Sequence, residues 1–342
     1  MPSPAKARYT LTVEGRKVDL TNPDKVFYPS TGFTKAQVVD YYVRVAPALL
    51  PHLKDRPLSL KRYPHGVGGA YFYQKQAPPN IPAWMKTAAV WSDERDDDID
   101  YCLANDLPSL VWLANAADLE MHTFMHRRQD LARPTQVAFD LDPGPGVDAR
   151  GCGRVAFLLK DHLDALGLDS FVKVSGSKGV QMHVPLNTPC TYEDTKQVSR
   201  GLAFALAREH PETVTGLMRK ELRQGKVFID WSQNDEHKTT VCVYSLRGTE
   251  RPQVAAPLTW DELQAAIDGD DLSLLRFSPG QVLQRVEEMG DLFAGVETMR
   301  QRLPRDLAAA EPAKAAKPAP KGKAGKAAAP ASRRSRTARA RA

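Results

Sequence analysis

Residues 137–146 read VAFDLDPGPG. On an extended strand, alternate side chains share a face. Val137, Phe139 and Leu141 are therefore expected to point into a core, and Asp140 and Asp142 to point together to the opposite face. Two carboxylates that close repel and raise a pKa unless a cation sits between them. A hard divalent ion, Mn²⁺ or Mg²⁺, suits carboxylate oxygens. The Pro-Gly-Pro-Gly turn ends the strand sharply and leaves both carboxylates at an edge that a ligand can reach. The stretch reads as a metal site open to substrate. The same pattern also serves as a DxD phosphatase nucleophile or as a simple turn device, so by itself it leaves the chemistry open.

Working outward, the chain alternates without a regular period. From residue 135 come strand TQVAFDLD, helix RVAFLLKDHLDALG, strand FVKVS, turn GSKG and strand VQMHVPL. A helix, YEDTKQVSRGLAFALAREH, then leads to strands KVFIDWS and TTVCVYSL. Upstream, Thr34 and Gln37 form a capping box that opens the helix AQVVDYYVRVAPALL. PLSLKRYP alternates like a strand, and SLVWLANAADLEMHTF steps from helix toward strand as it reaches His122. The acidic run SDERDDDID, residues 92–100, reads as an exposed turn. Thr259–Glu262 is another capping box, and Ser278-Pro279 starts a further helix. The pattern predicts an α+β body on a mostly antiparallel sheet flanked by helices.

Composition narrows the function classes. The 342 residues, 42% hydrophobic and 26% charged, are enough for a sizeable core. No apolar run reaches the roughly 18 residues a membrane span needs, and MPSPAKARYT lacks a signal peptide's apolar segment. A cytoplasmic, nucleoid-associated protein is expected, with no membrane partner. Cys102, Cys152, Cys190 and Cys242 are too scattered for a zinc site, and reduced thiols are expected. The net charge of +6 is uneven: residues 312–342 hold ten Lys or Arg and no acid. The remainder is slightly acidic, so any nucleic-acid site must be a local patch. The expected organisation is a catalytic domain over 1–305 and a disordered Lys/Arg/Ala/Pro-rich tail over 306–342, a sequence-blind tether to phosphates.

Further motifs add chemistry. Asp230, in FIDWS, would complete a carboxylate set for in-line phosphoryl displacement if its strand lay beside the first. KVSGSKGVQMHVPL offers Ser175, Lys178 and the backbone N–H groups of a tight glycine turn, all suited to phosphate. It is not a Walker A loop, because GxxxxGK[ST] is absent.

With these motifs in order, the sequence resembles the polymerase domain of bacterial DNA ligase D, of the archaeo-eukaryotic primase superfamily. The likeness covers roughly residues 15–300 and rests on LTNPDKVFYP, GFTKAQVVDYY, RPLSLKRYPHG, YFYQKQ, LEMHTF, FDLDPGPG, SGSKGVQMHVPL, FIDWSQN and YSLRGTERPQVAAPLTWDEL. WSQN with KTTVCVYSLRG looks closest to stand-alone primase-polymerases that travel with a separate ligase. The resemblance implies a primase-type α+β core and a template-dependent nucleotidyl transferase of DNA repair. Such an enzyme would fill short gaps and extend ends, preferring ribonucleotides and using two Mn²⁺ or Mg²⁺ ions.

Residue by residue, the resemblance makes Asp140, Asp142 and Asp230 the metal-binding catalytic carboxylates. It assigns Ser175, Lys178 and Arg247 to the nucleotide's phosphates, and His122, Lys61 and His183 to nucleotide binding. Lys25 and Lys35 match residues that bind a downstream 5′-phosphate, and Phe72 and Tyr73 match aromatics that stack on template bases. Implied partners are gapped or broken duplex DNA with a 5′-phosphate, NTPs and dNTPs, a separate DNA ligase and Ku, engaged by a monomer. The acidic 92–100 segment departs from the family, where a DNA-contacting loop lies. No ligase KxDG motif is present. The competing readings are a DxD-type phosphatase, which needs Thr or Val where Pro143-Gly144 follow, and a non-enzymatic DNA-binding protein acting through its tail.

Overall fold

The Gln136–Pro143 strand lies inside a sheet, paired antiparallel with Val180–Pro185 on one side and Val227–Asp230 on the other. Three further strands complete a row of six, ordered Val214–Thr215, Val227–Asp230, Gln136–Pro143, Val180–Pro185, Phe171–Val174 and Pro257–Leu258. All pairs are antiparallel except the first, which is parallel. The structure is a computed structural model and describes residues 8–269 and 271–304. The expected basic tail lies outside the described residues.

The apolar half of VAFDLDPGPG behaves as its alternation requires. Val137, Phe139 and Leu141 are buried against the helices Ala149–Ala165 and Tyr192–Glu209. The first helix presents Cys152, Val155, Ala156, Leu159 and Leu163, a stripe at helical spacing. It begins earlier than its apolar periodicity shows, because the Asp148 carboxylate accepts the N–H groups of Arg150 and Gly151.

A second sheet carries the strands Thr239–Val241, Asp118–Phe124, Leu58–Arg62, Asp97–Cys102 and Thr87–Ser92 in that order, with Phe72–Gln74 also paired to Leu58–Arg62. Helices Lys35–Leu53 and Leu107–Asn115 pack beside it. The capping boxes read at Thr34 and Thr259 are present, a helix starts at Ser278-Pro279 as expected, and Ser278 and Thr191 add two further boxes. The α+β architecture with a mostly antiparallel sheet is thus observed, divided between two sheets rather than one.

Two local expectations are corrected. TTVCVYSL is not one strand: it stops at Val241, kinks, and resumes at Leu246–Arg247. Tyr244 sits in the left-handed region at φ 65°, held by a hydrogen bond from its hydroxyl to Asp291 at 2.8 Å. The kink carries Arg247 off the line of the second sheet and toward the first. The acidic 92–100 run forms the expected exposed turn only at 93–96; residues 97–100 are strand, completing a hairpin in which Ser92 pairs with Asp97 and Val90 with Ile99. Ile99 and Val90 are buried, so alternate positions anchor the hairpin while the acids face outward.

A buried ion cluster joins the C-terminal elements to the second sheet. Arg56, with no exposed surface, donates to the carbonyl of Met125 at 2.8 Å, to Thr135 Oγ1 at 2.8 Å and to Glu297 at 2.9 Å. Glu297 also takes Arg127 at 2.7 Å and lies 3.4 Å from His52. Removing one partner of a buried pair strands the other charge, at a cost of about 3–5 kcal/mol. Glu297→Ala should therefore lower the urea midpoint by that much stability without changing the m-value, and Glu297→Gln by less. A loss under about 1 kcal/mol for Glu297→Ala would show the cluster to be dispensable.

Candidate active site

Strand register brings the carboxylates together. Asp140 lies directly opposite Asp230 in the antiparallel pairing, and opposite residues share a face. Asp142 is two residues on and shares it as well. All three are half-buried, on the side away from Val137, Phe139 and Leu141. Asp230 ends its strand and caps the short turn Trp231–Gln233, accepting Ser232 Oγ at 2.6 Å and Gln233 Nε2 at 2.9 Å. Burial raises the pKa of Asp140 above the ordinary carboxylate value, Asp142 and Asp230 raise it further, and a Gln181 hydrogen bond opposes them. Asp142 is raised too, by burial and then by Asp230.

The turn that follows is tightly constrained. A Cβ on Gly144 would come within 1.7 Å of the Arg223 carbonyl oxygen, so only glycine lets the 143–146 turn lie against the 223–226 segment. Across the cleft, Gly176 has φ +68°, a conformation that L side chains rarely adopt. The Ser175 hydroxyl accepts the N–H groups of Ser177 at 3.3 Å and Gly179 at 3.2 Å, which shapes the Gly176–Gly179 turn.

Both sheets line one cavity of about 340 Å³. Asp140, Asp142, Ser175 and Lys178 enter it from the first sheet, and His122, Thr240, Tyr73 and Arg247 from the second and from the kinked segment. Arg247 spans the two: Nη1 donates to the Ser175 carbonyl while Nε lies 3.0 Å from Glu120. Lys61 is not part of the lining but approaches through Glu120, at 3.2 Å. Burial lowers the pKa of His122 although Glu120 pulls it upward, so the imidazole is neutral at physiological pH.

Not every expected residue converges. His183 lies in a separate, nearly filled space with Gln136, Phe293 and Thr240, its Nδ1 2.9 Å from Gln136 Oε1. Burial drives its pKa far down. Its surroundings are those of a core histidine. Phe72 and Tyr73 are about half exposed and are not core residues. They face opposite ways: Tyr73 pairs with Lys61 toward the cleft, whereas Phe72 pairs with Arg62, whose guanidinium lies 5.5 Å from its ring. The aromatic Tyr71, 54% exposed and 4.1 Å from the Lys61 ammonium, was not singled out.

Lys25 and Lys35 meet in a second cavity of about 350 Å³ with Asn22, Arg62, Asn80 and Trp112. Lys35 is buried, and burial, Lys25 and Arg62 together lower its pKa to about 8. Nothing local in GFTKAQ signals this. The sequence also hid Glu120, which joins Lys61, Arg247 and His122, and Lys173, fully buried, which donates to Gln181 beside Asp140 and to the Val241 carbonyl at 3.1 Å. Strand alternation in LEMHTF, placing Glu120 beside His122, was the available signal.

Among the described residues, no three His, Cys, Asp or Glu side chains stand already gathered at metal-binding distance. The donor set nevertheless fits a hard divalent ion: three carboxylates share one face, and two of them repel strongly enough to be protonated more readily than usual.

A mixed two-sheet core with an acidic triad facing a basic wall defines a phosphoryl-transfer enzyme of the nucleotidyltransferase class. The sequence pattern of the family described as LigD, primase-polymerase domain, matches residues 34–293, and the chain belongs to that family and hence to the DNA polymerases. It is 41% identical over 283 residues to the multifunctional non-homologous end joining protein LigD of Mycolicibacterium smegmatis, covering 82% of this chain and 36% of that protein. The bifunctional LigD of Bacillus subtilis is 33% identical over 278 residues, 81% of this chain and 44% of that one. The chain thus spans less than half the length of these relatives. The polymerase domain from Mycobacterium tuberculosis ligase D, solved in complex with DNA, superposes with a TM-score of 0.77 at 39% identity, covering 83% of this chain and 99% of that one.

Repulsion among Asp140, Asp142 and Asp230 costs stability that function retains. Asp140→Asn should therefore raise Tm in chelator-containing buffer, and the wild-type chain is expected to gain Tm on adding Mn²⁺ where Asp140→Asn does not. An unchanged Mn²⁺ response in Asp140→Asn would remove these carboxylates from any metal site.

Proposed function

We propose that the chain is a template-directed nucleotidyl transferase of DNA end joining that fills short gaps and extends broken ends. The carrying observation is the shared cleft: Asp140 and Asp142 face one cavity together with Lys178 from their own sheet, Arg247 from the kinked segment and His122 and Tyr73 from the second sheet. Lys178 and Arg247 grip the triphosphate, arginine by its planar fork and lysine as a point charge. Neutral His122 and Tyr73 border the nucleotide, and Phe72 offers a stacking face for template bases. Divalent Mn²⁺ or Mg²⁺, two ions held by Asp140, Asp142 and Asp230, supplies activation of the primer 3′-hydroxyl and neutralisation of the leaving pyrophosphate. Ribonucleotides are the preferred substrates, and the catalytic domain occupies residues 1–305 with a basic tail that adds phosphate contacts.

The second cavity holds the downstream 5′-phosphate through Lys25, Lys35 and Arg62. The Arg62 and Lys61 side chains alternate along one strand, so that strand serves both cavities. The family relationship and the DNA-bound neighbour support this reading. They equally favour a repair polymerase over the phosphatase, which leaves the second cavity without a purpose.

The test is insertion into a one-nucleotide gap with Mn²⁺, comparing rNTPs with dNTPs and a 5′-phosphate with a 5′-hydroxyl downstream. Templated insertion that favours rNTPs and weakens with the 5′-hydroxyl is expected; its absence with every nucleotide and metal would overturn the proposal.

The lowered pKa of Lys35 sets a pH dependence. Protonated Lys35 attracts phosphate, and its charge is lost as pH rises through about 8. Lys25 and Arg62 face it, with Asp118 lying 3.3 Å behind Arg62. The binding advantage of 5′-phosphorylated over 5′-hydroxyl gapped DNA should fall by up to about tenfold from pH 7 to pH 9, whereas an ordinary lysine would hold its charge there. Fluorescence anisotropy across that range checks it, and a flat advantage would place the phosphate elsewhere.

A further inference from the structure

Glu120 is buried, 2% exposed, and is ringed by donors from three segments, one of them its own strand. Its Oε1 accepts Tyr63 Oη at 2.8 Å, the Gly248 N–H at 3.0 Å and Lys61 Nζ at 3.2 Å. Its Oε2 lies 3.1 Å from His122 Nε2 and 3.0 Å from Arg247 Nε. The Arg247 Nε–H is not aligned for a hydrogen bond, so that contact is electrostatic. The surrounding charges hold the Glu120 carboxyl well below the usual range despite burial, and it is an anion at every working pH.

Such a residue is costly to bury, and stability alone does not explain it: an apolar replacement of a buried ion cluster is often neutral or stabilising. Its geometry has a more specific consequence. Arg247 and Lys61 come from separate chain segments and would repel one another or drift on flexible stems, and His122 could present either ring nitrogen. One fixed anion behind them aims all three.

We propose that Glu120 is the positioning residue of the nucleotide site, holding Arg247 and Lys61 in place for the incoming triphosphate and fixing which nitrogen of His122 carries the proton. This rests on the assignment of the cleft to a nucleoside triphosphate. A carboxylate accepts only, so His122 Nε2 must be protonated. Nδ1 then remains a hydrogen-bond acceptor. Glu120 itself touches no reacting atom, so its effect falls on ground-state nucleotide binding more than on the chemical step.

The experiment is steady-state insertion into gapped duplex with Mn²⁺ by the full chain, varying the nucleotide. Glu120→Gln keeps the length and loses the charge. It should raise the nucleotide KM by about tenfold or more while kcat changes less than about threefold. Arg247→Ala should raise KM in the wild-type background and add little in Glu120→Gln, because the aim is already lost. Glu120→Asp, shorter by one methylene, should fall between. A kcat loss at unchanged KM, or strict additivity with Arg247→Ala, would mean a merely structural role and overturn the proposal. Unaltered KM in Arg247→Ala alone would overturn the nucleotide assignment beneath it, a failure distinguishable from the first. A measurement independent of variant folding is ¹⁵N NMR of wild-type His122: a neutral ring protonated at Nε2 is expected, and an Nδ1-protonated ring would sink the inference.

Discussion

Backbone register forces three carboxylates onto one face of the first sheet, and the rest of the molecule is arranged around that constraint. Asp140 and Asp230 cannot separate, because hydrogen bonding between their strands places them opposite one another. Asp142 cannot leave, because two residues along a strand is the same face. The other face of Gln136–Pro143 is packed against two helices, so the strand cannot turn its charges elsewhere. What remains is to meet them with positive charge. Arg247 does so from the kinked segment and Lys178 from the turn beside them on their own sheet, and both line one cavity with Asp140 and Asp142.

That opposition needs its own management. A basic wall is as self-repelling as an acidic one. Glu120 sits behind the wall as Gln181 and Lys173 sit behind the carboxylates. Each charged layer is backed by a buried counter-group, and the two layers meet only through the cavity. Arg247 pairs electrostatically with Glu120 and donates a hydrogen bond to the Ser175 carbonyl, tying the two sides of the cavity together. The kink at Tyr244 puts it there: a continuous strand through TTVCVYSL would have left Arg247 on the second sheet alone.

The fold was legible wherever periodicity and capping are local. The helices opening at Thr34, Thr259 and Ser278 and the strands around VAFDLDPGPG appear where their patterns place them. The kink in TTVCVYSL was not legible, since the contacts that hold it are distant in the chain: the Tyr244 hydroxyl donates to Asp291, and the Tyr244 N–H donates to the Ala255 carbonyl. Resemblance supplied most of the candidate site, and the structure sorts its members. It gathers Asp140, Asp142, His122, Ser175, Lys178, Arg247 and Tyr73, pairs Lys25 with Lys35, and leaves His183 in the core. Phe72 and Tyr73 were adjacent in sequence and therefore on opposite faces of their strand, a separation that the alternation itself contained.

The sequence alone determined the helix starts, the alternation that sends Asp140 and Asp142 to one face, and the sharp stop at Pro-Gly-Pro-Gly. These depend on residues within a few positions of one another, where sterics and capping act. Only the tertiary structure decided that Asp230 lies opposite Asp140, that Lys35 is buried beside Lys25, and that Glu120 is the shared partner of Lys61, His122 and Arg247. Strand order and burial set those relations. They arise from contacts among segments distant in the chain, and no local pattern of residues encodes them.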